Sequence, residues 1–118
     1  MFKENSKMAK IERFEDLEIW QLAREICNEV NQIFETIALG KNYVLRNQMD
    51  RSSGSIMDTI SEGFERNGNC EFMQFLSIAK ASCGELRSQL YRTLDRKYID
   101  KKTFDELMEK VLLESKKN

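Results

Sequence analysis

The chain has 118 residues, 19 of them basic and 20 acidic, with a net charge of −1 and neither proline nor histidine. That is room for one compact domain, and the charge balance argues against tight generic DNA binding by a monomer. No apolar run approaches the roughly 20 residues needed to cross a bilayer.

Residues 1–13 (MFKENSKMAKIER) are polar and aperiodic, which predicts a flexible leader ahead of a single domain over 14–118. The first helix is expected from Leu17 to about Ile37. Trp20, Ala23, Cys27, Val30, Phe34 and Ile37 recur at helical spacing, flanked by Ile19, Ile26 and Ile33. Asp16 is the expected N-cap and Gly40 the stop. A second helix is expected from about Tyr43 to Glu62, with Met49, Ile56 and Ile60 on one face and Gly63 ending it. A third, from about Asn69 to Leu94, places Phe72, Leu76, Ala79, Cys83, Leu86, Leu90 and Thr93 on one stripe. A fourth, from about Lys101 to Ser115, is capped by Asp100 and turns Phe104, Leu107, Met108, Val111 and Leu112 inward. Every connection is short, so neighbours in sequence should pack antiparallel. The expected fold is all-α, an up-down-up-down four-helix bundle.

The second helix carries the run RSSGSIMDTISEGFER. Glycine inside a helix costs about 1 kcal/mol relative to alanine. Close approach of two backbones over small side chains is the expected compensation, so Ser52–Ser55, Gly54 included, reads as a packing site. A turn centred near Asn67 would set Arg51 beside Cys83–Glu85, Ile56 beside Ile78–Ala79, and Glu62 beside Phe72. This predicts a structural Arg51–Glu85 ion pair.

Catalytic chemistry finds little support. No histidine is present to act as a base, and the Glu-x-x-His pairs of di-iron bundles are missing. Cys27, Cys70 and Cys83 fit no zinc spacing. An odd number of cysteines without a CxxC pair predicts reduced thiols in a cytoplasm. No phosphate-cradling glycine loop occurs. No catalytic residue, metal or cofactor is assigned, and a non-enzymatic protein is expected.

The pattern of residues is similar to that of a known family. Phe14-x-x-Leu17-x-Ile19-Trp20-Gln21-x-Ala23 opens it. Tyr43-Val-Leu-Arg-Asn-Gln48, Arg51, Ser55-Ile56, Ile60-x-Glu62-Gly63-Phe64 and Arg66 follow, then Glu71-Phe72, Phe75-Leu76, Ile78-Ala79-Lys80, Ser82, Glu85-Leu86 and Ser88-Gln89-Leu90-Tyr91. In that order and spacing the series resembles the four-helix-bundle proteins encoded in intervening sequences of bacterial 23S ribosomal RNA genes. Three positions depart from the family's usual pattern: Thr59 and Ser61 flank Ile60 where it has asparagine and alanine, and Gly68 stands where serine is common. The resemblance implies a ring of five copies and a link to RNA biology. It also implies kinship with the accessory variability determinant proteins of diversity-generating retroelements, which bind a reverse transcriptase and nucleic acid.

Two functional readings follow. In the first, the protein is an oligomeric nucleic-acid-associated adaptor that concentrates weak basic patches, with Arg46, Arg66, Arg87, Arg92, Lys97, Lys101 and Lys102 as candidate contacts. In the second, it is a structural protein–protein interaction module, for example a reverse-transcriptase accessory, with no direct nucleic-acid contact. Met57, Phe64 and Met73 are the candidate oligomer surface, unless they complete the internal core.

Overall fold

A computed structural model describes residues 10–118, and all elements in it are helical. A short 3-10 turn, Phe14–Asp16, leads into α1 (Glu18–Ile33), α2 (Ile37–Lys41), α3 (Tyr43–Glu65), α4 (Asn69–Asp95) and α5 (Lys101–Lys117). Residues 1–9 of the expected leader lie outside the described residues; of the rest, Ile11 packs against the edge of the core.

The four long helices bury the stripes that helical spacing selects. Ala23, Ile26 and Val30 come from α1 and Met49, Ile56 and Ile60 from α3. Phe72, Leu76, Ala79, Leu86 and Leu90 come from α4, and Phe104, Leu107 and Val111 from α5. α3 packs against α4 and α1, and α5 against α4 and α1. The molecule measures 49 × 23 × 19 Å, a long axis set by α4, which at 1.5 Å per residue spans about 40 Å.

Several local expectations are corrected. α1 stops at Ile33, four residues early. Phe34, Glu35 and Thr36 donate backbone bonds three residues back, and the Thr36 hydroxyl donates to the Ile33 carbonyl at 2.8 Å. These tighten the last turn and release the chain. Ile37 consequently stands outside the core, 77% exposed. Gly40 does not end α1; a Cβ there would lie 2.8 Å from the Phe34 carbonyl oxygen, so the glycine lets α2 fold back against that carbonyl. Asp16 does not cap α1 either, because the extended Leu17 holds the cap position and sends its side chain into the core. Asp100 does cap α5, accepting from the Thr103 amide at 2.8 Å. Asn42 caps α3, accepting from the Leu45 amide at 3.1 Å.

The serine-rich run is a hydrogen-bonded seam. Ser52 Oγ donates to Gln89 Oε1 at 2.6 Å, and Ser82 Oγ donates to Ser55 Oγ at 2.9 Å. Toward α1, Cys27 Sγ donates to the Ser53 carbonyl at 3.2 Å. Gly54 belongs to neither side: among the described residues, a Cβ built on it meets nothing within 4 Å. The close-packing expectation therefore fails at Gly54. Gly54→Ala should raise unfolding stability by about 1 kcal/mol, since it removes the helix penalty with no clash to offset it; a urea titration with an unchanged or lower midpoint would refute this.

The close approach lies at Gly63. The residue sits inside α3, which continues to Glu65, so it does not end the helix. A Cβ there would lie 2.5 Å from Phe75 Cβ. The reversal into α4 is made instead by Asn67, at φ 61°, a conformation asparagine tolerates. The expected Arg51–Glu85 pair is also not formed. Both side chains are exposed and no ion pair within 4 Å joins them, because Ser52 and Gln89 occupy the contacting faces one helical step away.

Candidate nucleic-acid interface

The turn between α4 and α5 meets the start of α3 at one end of the molecule. Asn42 Nδ2 donates to Tyr98 Oη at 3.2 Å, and Arg92 Nη2 donates to Gln48 Oε1 at 2.7 Å. These bonds bring together segments some fifty residues apart in sequence. The turn closes α4 through two backbone bonds, Lys97 to the Leu94 carbonyl at 2.9 Å and Tyr98 to the Thr93 carbonyl at 3.0 Å. Lys97 takes the left-handed position of this helix end, at φ 61°, which glycine usually fills.

Five of the candidate cations fall at this end: Arg46, Arg92, Lys97, Lys101 and Lys102. Lys41 and Arg96, not selected from the sequence, join them. Arg46 lies 5.5 Å from the Phe34 ring centre and Lys101 5.6 Å from that of Phe104. Lys101 pairs with Asp105 at 2.6 Å. Among the described residues the other six make no ion pair within 4 Å. Tyr43 and Tyr91 stand exposed nearby, Tyr91 with its ring 5.1 Å from Phe104. Asp100 is held below the usual carboxylate range by its hydrogen bonds with Thr103, so it stays ionised as the cap of α5 and sets one negative charge among these cations.

Arg66 and Arg87 are not part of this cluster. Arg66 sits at the opposite end, against Glu62 at 3.1 Å and Glu71 at 4.0 Å, over the Phe75 ring. Arg87 is half-buried midway along α4. The C-terminal lysines serve α1: Lys110 bridges Glu25, at 2.6 Å, and Glu29, and Lys117 lies 3.5 Å from Glu18. Hydrogen bonds to Glu25 and then Glu29 hold Lys110 protonated well above the ordinary lysine range. The acidic face of α1 is thus largely neutralised within the chain, while the turn end keeps its positive charge. The signal that could have located the cluster was the antiparallel register itself, which sets Arg46 and Gln48 opposite Arg92.

The other selected residues scatter. Phe64 belongs to the chain's own core, with its ring edge-on to Phe72 at 6.0 Å, so it is no outward surface. Met57 is half-buried against the core, and Met73 is exposed. Burial pushes the Cys83 thiol up to about 12 and raises that of Cys27. Among the described residues, no three His, Cys, Asp or Glu side chains form a group able to hold a metal ion. No described helix is long and apolar enough to cross a membrane.

A family model described as 23S rRNA-intervening sequence protein matches residues 15–117. No curated protein matches the chain. A crystal structure from Bacteroides thetaiotaomicron, described as a protein with unknown function from the S23 ribosomal protein family, is similar in fold. Its TM-score is 0.75 at 21% identity, over 83% of this chain and 92% of that one.

Proposed function

The chain belongs to the 23S rRNA-intervening sequence protein family, and from that premise we propose that it is a non-enzymatic, cytoplasmic adaptor that holds RNA at the basic end of the bundle. Unpaired cations interleaved with exposed tyrosines carry this reading: guanidinium and ammonium groups bind phosphates, while tyrosine rings stack on unpaired bases. Lys97 adds to it. A lysine in a left-handed conformation costs about 1–2 kcal/mol that glycine would not, and such local strain is characteristic of binding sites.

The domain is read as an up-down-up-down four-helix bundle over 14–118. Descending contacts support this order, Ser52 with Gln89 and Ser55 with Ser82 between α3 and α4, Glu18 with Lys117 and Glu25 with Lys110 between α1 and α5. Five copies in a ring would multiply a weak basic end into an avid one.

The test is fluorescence anisotropy of a labelled, structured RNA. Affinity should fall steeply with salt, and replacing both Lys97 and Lys102 by glutamate should reduce the log–log salt slope by about 2. Lys116→Glu, on the far end of α5, should leave the slope unchanged. No salt-sensitive association at micromolar protein, or equal losses in both variants, refutes the reading.

A second reading, docking of a protein such as a reverse transcriptase without RNA contact, is favoured by Ile37 and Val44, exposed at 77% and 68%. It predicts no RNA binding, and loss of the protein partner in Val44→Asp.

A further inference from the structure

The last turns of α5 are inverted relative to the rest of the helix. Phe104, Leu107, Met108 and Val111 form its buried stripe, and the next inward places are taken by Glu114 and Ser115. Leu112 and Leu113, the first of them expected inside, stand 48% and 46% exposed. Glu114 is fully buried, at 0% exposure, and among the described residues neither carboxylate oxygen has a hydrogen-bond partner of ordinary geometry. The neighbouring Asn118 amide is buried as well; it lies close enough to Glu114 to favour the ionised carboxylate, yet makes no hydrogen bond of ordinary geometry to it.

A carboxylate cannot stay ionised there at low cost. Burial drives its protonation upward, to about pKa 8. The surrounding charges do little to reverse this. On α5, Lys117 favours the ionised form, but it is drawn to Glu18 of α1 at 3.5 Å. On α4, the buried Cys83 senses Glu114, with Arg87 and Lys80 acting on that thiol.

We infer that Glu114 is a proton-operated latch. Neutral, it lets the last two turns of α5 seat on α1 and α4; when its proton passes to water, the carboxylate follows into solvent and those turns detach. Exposed Leu112 and Leu113 make detachment less costly, because those turns already leave apolar area outside. Opening would uncover the Val111 region and Cys83.

Amide hydrogen exchange tests this in the intact chain. After correction for intrinsic rates, protection over residues 112–118 should fall about tenfold or more between about pH 6 and about pH 9. Glu114→Gln, which keeps the shape and removes the ionisation, should hold protection within about twofold. The same fall in both proteins overturns the latch. A carbon-13 titration of the Glu114 carboxyl in the native protein decides the matter even if the variant fails to fold. A midpoint near 8 is expected, and one near the ordinary 4.5 overturns the proposal.

Discussion

Gly63→Ala should destabilise the protein by about 3 kcal/mol, at the upper end of what overpacking a core costs. The added methyl would lie 2.5 Å from Phe75 Cβ, 3.0 Å from its Cγ and 3.3 Å from Phe72 Cδ1. Phe75 Cβ is fixed to the α4 backbone, so no rotamer change clears the clash. The helices must separate instead, and separation strains the Ser55–Ser82 and Ser52–Gln89 hydrogen bonds further along the seam. For a domain of this size the melting temperature should fall by about 12 °C, followed by circular dichroism. The same substitution at Gly54 acts in the opposite direction, because space around the Cβ decides the sign. An unchanged melting temperature for Gly63→Ala would mean that α3 and α4 do not approach as described.

Stability should also decline as pH rises through neutrality. Glu114 has a folded-state pKa of about 8 against 4.5 for the free side chain. Between those values the folded protein binds more protons than the unfolded chain, so unfolding free energy falls with increasing pH. The decline begins near pH 4.5 and levels off above about 8. At 1.36 kcal/mol per pKa unit the full span is on the order of 4–5 kcal/mol. Local opening of α5 limits that loss to whatever the opening itself costs. Urea titrations at a series of pH values should show this slope in the native chain and a flatter one in Glu114→Gln. Equal slopes would place the pH dependence elsewhere.

Much of the fold is legible in the sequence because apolar residues at three- and four-residue spacing leave few alternatives. The ends of α3, α4 and α5 fall within three residues of where periodicity puts them. What the pattern conceals has physical causes. Glycine looks the same whether it ends a helix, fills a close contact or stands in open space, so periodicity alone misplaces Gly40, Gly54 and Gly63. The break after Ile33 carries no proline and is made by backbone bonds and a threonine hydroxyl. The Arg51–Glu85 expectation had roughly the right register but the wrong helical phase. Glu114 defied the pattern: a carboxylate at a core position beside two leucines reads as a surface residue. The basic end was half legible, since Lys97, Lys101 and Lys102 are close in sequence, whereas only folding places Arg46 and Arg92 beside them.

Sedimentation velocity of the purified protein with a labelled structured RNA addresses assembly and binding together. At low salt, the RNA label should move with a species several times heavier than the 13.9 kDa chain and part from it as salt is raised. A lone 13.9 kDa boundary with the RNA sedimenting freely at every salt concentration would contradict the adaptor outright.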